Sequence, residues 1–406
     1  MRKKRRNIQK QTGGTADIMK IAHIVPSTHY NDYWGYQENL LPKYHVKMGH
    51  EVTLITSTLT FKDGKLSNAE TGDYILKDGT RVIRLEKKKY FHRVITSLND
   101  RIHVYPLLQE IKPDFIFFHG LVSTTVFDVI KYKKEINPAC IIVQDSHLDY
   151  FNYPYTGEGL RDKLVRGFYR LLNKKTLPHI EKIYGVTPWR KEFCEKFFNI
   201  SEKKTDVLIM GADDENIDFL HKGQIRERIR SDYNINDGDF LVVSGGKIDR
   251  NKNFLELMSA CGRLPGTRLL LFGNVDEGIS AEFNALLEKH DNITHIGWLD
   301  ANRVYDYFLA SDLAVFPGTH SVLWEQACAC KIPCVFKRWD GTEHVNNGGN
   351  SMLMDDVSES ALYDRIKSLM FTDTYNTMYQ VAQSAATDVY LYSKIAEKSL
   401  ECFYTK

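Results

Sequence analysis

Apolar residues along this chain fall into short continuous runs, separated by stretches in which apolar positions recur every three or four residues. The runs KIAHIVPS, HEVTLITS, RVIRL, DFIFFHG, CIIVQDSH, KIYGVTP and DVLIMGAD are rich in β-branched and aromatic residues. Most end in Gly, Ser, Pro or Asp, which predicts strands. Segments between them, such as Tyr36 to Met48, carry the helical period. Continuous apolar strands alternating with helices imply a parallel sheet covered on both faces. The pattern then begins again with DFLVVSGG, RLLLFGN, ITHIGWL, DLAVFPG, PCVFK and SMLMDD. The expectation is α/β, with two Rossmann-like doubly wound domains. Residues 211–238, polar and rich in Asp, Asn and Gly, read as the linker. The last thirty residues read as helix with a break near Thr387–Asp388.

Composition adds little beyond exclusions. The chain has 406 residues, 43% hydrophobic and 26% charged, with a net charge of +2, so nothing global argues for nucleic acid. Seven cysteines without a pairing pattern read as reduced thiols, which points to the cytoplasm. Cys328, Cys330 and Cys334 cluster, which leaves a metal reading open beside the plainer one of small apolar residues in a helix and a strand. No run is long and apolar enough for a membrane span. Residues 1–18 are basic, lack a signal-peptide apolar segment, and are expected to be a disordered tail.

In open α/β sheets, ligands sit beyond the C-terminal ends of the strands. Three loops there carry unusual residues. In SGGKIDRNKN, Gly245 and Gly246 permit a sharp turn and close approach to a ligand, and Lys247, Arg250 and Lys252 supply positive charge. A diphosphate suits this loop; solvated surface lysines are the plainer alternative. In FPGTHSVLWEQACACK, Pro317 and Gly318 break the strand and a helix is expected from about Ser321, with Ser321 as its cap. Glu325 on its first turn could accept hydrogen bonds from vicinal ribose hydroxyls, or simply suit the helix dipole. In VQDSHLDY, Asp145, His147 and Asp149 follow a buried strand, and His119 follows another. Separately, Leu160, Leu164, Phe168, Leu171 and Leu172 form one helical stripe flanked by Arg161, Lys163, Arg166, Arg170, Lys174 and Lys175. Such a helix suits an anionic membrane surface, or else packs on its own sheet with a solvated basic face.

Taken in order, VVSGGKIDRNKN, LLLFGN, HIGWL, YFLASDLAVFPG, WEQACACKIPCV and NNGGNSMLMDD resemble the nucleotide-sugar half of family 4 retaining glycosyltransferases of the GT-B fold, the glycosyl transferases group 1. YWGYQENLLPKYHVKMGHEVTLITS, IYGVTPWRKEF and VLIMGADDENIDF are similar to the family's N-terminal half. The resemblance spans about residues 19–360 and implies two Rossmann-like domains facing a central cleft. It implies an acceptor domain at 19–211, a nucleotide-sugar domain at 212–385, and a C-terminal helix at 386–406 crossing back. It implies a metal-independent hexosyltransferase with no cofactor, moving sugar from a nucleotide-diphosphate donor, with UDP favoured, to a glycan or lipid-linked acceptor in polysaccharide or glycoconjugate synthesis. Retention follows from the resemblance alone.

Carried over by motif, Lys247 and Lys252 contact the donor diphosphate, Glu325 the ribose, and Gly35 the donor phosphates; Gly297 and Trp298 lie in the segment that holds the base. Gly246, Arg250, Gly318, Ser321 and Val322 complete the donor site. The family has a first Glu where this chain has Pro317, so His320 and the amides after Gly318 are expected to replace its contact with the sugar. His147, His320, Lys247 and Lys252 are the expected catalytic residues, and Asp145, His119 and Asp149 the acceptor residues. The location is expected to be cytoplasmic, extending to the inner face of the cell membrane. Two alternatives remain: a nucleotide-sugar 2-epimerase on the same fold, and a non-catalytic nucleotide-sugar or partner-binding protein.

Overall fold

The computed structural model describes residues 18–62, 64–87 and 101–404. The basic tail, residues 1–17 of it, lies outside the described residues. The first domain is built on strands β1 (Lys20–Val25), β2 (Glu51–Ser57), β3 (Leu59–Lys62), β4 (Lys65–Asn68), β5 (Gly72–Ile75), β6 (Arg81–Leu85), β7 (Phe115–Phe118), β8 (Ile141–Ser146), β9 (Lys182–Gly185) and β10 (Thr205–Val207). The second has β11 (Phe240–Gly245), β12 (Thr267–Phe272), β13 (Ile293–His295), β14 (Leu313–Phe316), β15 (Cys334–Lys337) and β16 (Ser351–Met354).

The sheets run β10-β9-β8-β7-β1-β2-β6-β5 and β13-β12-β11-β14-β15-β16. All neighbours pair in parallel except β5 with β6. In each sheet the first strand is central and the chain grows outward on one side, then on the other. Each sheet therefore has a point where strand order reverses, between β1 and β7 and between β11 and β14. The β3–β4 hairpin and β5 were not foreseen; LTFK, KLSN and GDYI are at most half-buried, so no apolar run marks them.

Alternation along the buried strands assigns each residue to one face. Ile116 and Phe118 pack with Ala22 and Ile24 on one side of the first sheet. Phe115 and Phe117 pack with Ile21, Ile141 and Val143 on the other. That second face is covered by Tyr392, Ile395, Ala396 and Leu400 of the returning C-terminal segment. Each buried Ile or Leu there stabilises the fold by about 1.5–3 kcal/mol. The segment is not one continuous helix. Helix Asp373–Gln383, the tight turn Ala385–Tyr390 and helix Tyr392–Ser399 succeed one another.

The expected linker at 211–238 is also a structural element. Lys222–Asp232 is helical, buries Ile225 and Ile229, and is tied to the second domain by Arg226–Asp312 (2.7 Å) and Arg228–Asp306 (2.8 Å). Two apolar positions in eleven residues gave too weak a period to see it, because ion pairs supply part of its docking.

The chain crosses between domains twice, and the crossings hydrogen-bond to each other. Ala212 N–H donates to Tyr390 O (2.8 Å), and Tyr392 N–H donates to Ala212 O (2.9 Å). A Cβ on Gly211 would lie 2.1 Å from Tyr390 O. Beside this point Asp213 accepts from Tyr44 Oη (2.7 Å) and Lys43 Nζ (2.6 Å) of the first domain, while its N–H donates to Tyr305 Oη (3.2 Å) of the second. A further contact forms at the strand ends. Trp189, just past β9, places its N–H 3.4 Å from Gly341 O, just past β15. A Cβ on Gly341 would sit 2.3 Å from Trp189 Cβ. The C-terminal ends of the two sheets therefore face each other.

Gly211→Ala is expected to lower stability by about 1–3 kcal/mol through overpacking at the crossing. Gly167→Ala, in open space inside a helix, is expected to raise it by up to about 1 kcal/mol. Urea denaturation of both variants checks this, and a wild-type midpoint for Gly211→Ala would contradict the tight crossing.

Candidate active site

The loops after β11 and β14 flank the reversal point of the second sheet. Gly246 has φ +115° and donates its N–H to Phe272 O, while Gly273 has φ +122° and a Cβ there would lie 1.8 Å from Gly246 O. Gly318 is equally tight, since a Cβ would lie 2.2 Å from Lys252 Cα. These close approaches bring Ser244, Gly245, Lys252, Gly318, Thr319 and Ser321 around one small cavity. The Ser244 hydroxyl is buried there without a partner. Lys252 Nζ donates to Thr319 O, and burial lowers its pKa from the usual lysine value.

The other two cations of the loop differ. Lys247 is mostly exposed and lies 3.4 Å from Asp249 and 3.7 Å from Asp276. Arg250 is bidentate to Glu282 (2.9 and 2.7 Å), so its guanidinium is already committed. Gly297 takes φ +74° and accepts from Gly273 N–H (2.7 Å); Trp298 beside it is exposed.

Ser321 does not cap the following helix. That helix is Leu323–Ala329, its N-cap is Val322, and no side chain caps it. Glu325 lies in its first turn and is completely buried. Its Oε1 accepts from His320 Nε2 and His344 Nε2, both at 2.8 Å, and Oε2 has no partner. Burial opposes the charged form, yet the two imidazoles hold the carboxyl well below the usual carboxylate range. His344 was missed because it lies nineteen residues beyond Glu325 in a loop with no local pattern. Among the described residues these three form the only His/Cys/Asp/Glu trio with ligand atoms within 4.8 Å; both imidazoles meet the carboxylate through Nε2, and His344 Nδ1 is buried without a partner. Cys328, Cys330 and Cys334 are free and buried as small apolar groups.

On the first domain, Gly35 is exposed in the loop between β1 and helix Gln37–Lys47, with open space where a Cβ would be. Gln37 beside it is buried with both amide atoms unpartnered, a feature no sequence pattern announced. Asp145, at the end of β8, is completely buried. Its Oδ2 accepts from His119 Nδ1 (2.8 Å) and its Oδ1 from Gly120 N–H (2.8 Å). Its own burial works against ionisation, but His119 and then His147 hold it well below the usual range.

The His147 side chain is 36% exposed, and its Nε2 lies 3.7 Å from Asp145 Oδ2. Desolvation opposes its charging, and the Asp145 carboxylate more than offsets this, so its pKa is raised. Asp149 is buried and organises its own loop: it accepts from Phe151 N–H and Asn152 N–H and pairs with Arg190 (3.1 Å). Of the expected acceptor residues, Asp145, His119 and Asp149 are therefore withdrawn from direct contact. Each already uses its polar atoms inside the fold, and His147, part-exposed with its Nε2 buried and unpartnered, is the group that remains.

Residues 225–385 match the family model of the glycosyl transferases group 1. The matched segment makes up most of the second domain. The lipopolysaccharide core biosynthesis glycosyltransferase LpsE of Rhizobium meliloti is 26% identical over 166 residues. That match covers 37% of this chain and 48%, about half, of the relative. A glycosyltransferase from Rickettsia africae superposes with a TM-score of 0.68 at 16% identity, covering 96% of this chain and 99% of that one. Anabaena HepE, solved in complex with UDP, gives 0.64 at 15% identity, covering 96% and 100%. The architecture is the GT-B fold, and the glycine-lined cavity and Glu325 lie within the group 1 segment.

Acid should weaken this fold over two pH ranges. His23 and His45 are buried with lowered pKa values, His45 to about 3. The unfolded chain therefore binds more protons, and stability falls as pH drops below about 6.5. Asp145 and Glu325, with depressed values, stabilise the fold above about pH 4 and lose this as pH falls further. His147, with a raised value, acts the other way, stabilising below about 6.5 and less as pH rises. Melting temperatures from pH 8 to 3 should show a shallower limb between 6.5 and 4 for His45→Gln, and a shallower limb below 4 for Glu325→Gln. Slopes unchanged from wild type would contradict these assignments.

Proposed function

We propose that this protein is a glycosyltransferase that takes sugar from a nucleotide-diphosphate donor, with UDP as the carrier, and passes it to a hydroxyl of a glycan or lipid-linked acceptor in polysaccharide or glycoconjugate synthesis. The observation that carries this reading is the close approach of the Gly246 and Gly318 loops, inside the group 1 segment, with the half-buried Lys252 ammonium bonded across it to Thr319 O. A departing diphosphate gains negative charge, and a fixed cation and backbone amides in a poorly hydrated site stabilise that charge without reorganising. Lys252 and the amides around Gly246 and Gly318 supply this in the present reading, with no metal required. Glu325, ionised and oriented by His320 and His344, offers its unpartnered Oε2 to the ribose hydroxyls. UDP is supported by its presence with HepE, which shares the fold. His147 is then the group of the first domain that meets the sugar or acceptor.

Lys252→Ala should weaken UDP binding at least about tenfold, roughly 1.4 kcal/mol. Arg250→Ala, exposed and paired with Glu282, should change it less than about twofold. Calorimetric titration of UDP decides, and equal losses in the two variants, or none, would remove the diphosphate from this loop.

The acceptor domain also carries a surface suited to anionic lipid. On helix Leu160–Thr176, Leu160, Leu164, Phe168 and Leu171 are exposed, with Leu160 76% exposed, while Val165, Tyr169 and Leu172 face the core. The stripe therefore faces outward rather than onto its own sheet, apart from Leu172. The helix holds six cations and one anion, Asp162, against +2 for the whole chain. Its chain follows directly from the His147 loop, and Arg170, Lys174 and Lys204 line a groove beside it. We propose that this face rests on an anionic membrane, burying apolar side chains among acyl chains while the cations meet phosphate. No helix among the described residues is long and apolar enough to cross a membrane. Co-sedimentation should capture the protein on phosphatidylglycerol vesicles and not on phosphatidylcholine ones, and Leu164→Glu should lower capture at least about fivefold. Equal capture by both vesicle types, or by wild type and variant, would refute it.

A further inference from the structure

Five buried side chains form an unbroken hydrogen-bonded line through the first domain. Ser399 Oγ lies 2.8 Å from His45 Nε2, His45 Nδ1 lies 2.9 Å from His23 Nε2, and His23 Nδ1 lies 3.0 Å from His119 Nε2. His119 Nδ1 then meets Asp145 Oδ2 at 2.8 Å. All five are at most 5% exposed. They come from five separate elements: the returning helix Tyr392–Ser399, helix Gln37–Lys47, β1, the end of β7, and β8. The His23 ring is stacked on Phe117, which keeps the line dry on that side.

Proton counting restricts this line. A neutral imidazole has one N–H and one bare nitrogen, and an ionised carboxylate only accepts. With Asp145 ionised and the rings neutral, only one order satisfies every link. His119, His23 and His45 are all Nδ1–H, each donating toward Asp145, and the Ser399 hydroxyl donates to His45 Nε2. Ser399 Oγ has a second acceptor, Ala396 O, also at 2.8 Å. One added proton therefore gives a second complete order. Ser399 O–H passes its proton to His45 Nε2, His45 Nδ1–H passes to His23 Nε2, and His23 Nδ1–H passes to His119 Nε2. The incoming proton restores the Ser399 hydroxyl, which turns to Ala396 O. His119 is then doubly protonated against Asp145, while His23 and His45 remain neutral with their tautomers reversed.

We infer that Ser399, His45, His23, His119 and Asp145 act as a one-proton relay that couples the charge facing His147 to the returning C-terminal helix. In the first order the full Asp145 charge faces His147 and favours its imidazolium. In the second, His119 neutralises Asp145 and that support is withdrawn. Burial and neighbouring imidazoles disfavour charge on His23 and His45, which directs the added proton to the ring beside the carboxylate. Charged or titratable groups around the line include His50 near His45, Cys194 near Asp145, and Glu38 and Arg190 near His147. Ser399, His45 and His23 are thus positioning residues for the site in the proposed glycosyl transfer, on which the catalytic meaning of the relay rests.

The test reads tautomers rather than turnover, so it stands or fails independently of that reading. In the full-length protein labelled with ¹⁵N-histidine, long-range ¹H–¹⁵N spectra are followed from pH 9 to the onset of acid unfolding. The expected result is one shared midpoint at which His23 and His45 exchange Nδ1–H for Nε2–H while only His119 gains a second proton. Separate midpoints, or rings that stay fixed throughout, would overturn the relay. At pH 8, Asp145→Asn offers an N–H to His119 Nδ1 and should reverse the tautomer of His45, two rings away. A reversed His119 beside an unchanged His45 would equally overturn it. Loss of sugar transfer in that variant bears on the proposed function, not on the relay.

Discussion

The structure depends on how closely the chain passes itself at Ala212. The outgoing and returning crossings share two backbone hydrogen bonds, and only a glycine at 211 leaves room for the Tyr390 carbonyl. This contact sets where helix Tyr392–Ser399 enters the first domain, and that helix covers the apolar face made by Phe115, Phe117, Ile141 and Val143. The hydrophobic gain of covering that face holds the returning segment, and the segment in turn ties the second domain to the first. Asp213, bonded to both domains beside the crossing, adds a polar fastening at the same place.

Across the cleft the two domains use the same electrostatic arrangement. Asp145 and Glu325 are each completely buried near the C-terminal end of a strand, and each has two imidazoles turned toward it. A buried carboxylate without such partners would protonate rather than stay charged. With them, each remains ionised in a fixed orientation. The proposed roles differ because the remaining contacts differ. Asp145 has its oxygens occupied and acts through His147, whereas Glu325 keeps one oxygen without a partner.

Much of this was legible beforehand where a residue type has a local consequence. The strand runs of both sheets and the glycines at their ends followed from apolar continuity and turn chemistry. Ser321 was misassigned because a helix starting two residues later also fits that composition. The helix at Lys222–Asp232 was hidden because its docking rests on Arg226 and Arg228, whose partners lie some eighty residues away.

By itself, the sequence determined the alternation of strand and helix, the repeat of that pattern, and the glycine and lysine loop after β11, because backbone conformation and face burial depend on near neighbours. Only the tertiary structure decided which charged groups stay free. Arg250 was claimed by Glu282, Asp149 by Arg190, and His119 by Asp145. It also brought His344 to Glu325 and Ser399 to His45. Pairing of polar side chains is set by the distance between elements once the sheets have packed, and no spacing along the chain encodes that distance.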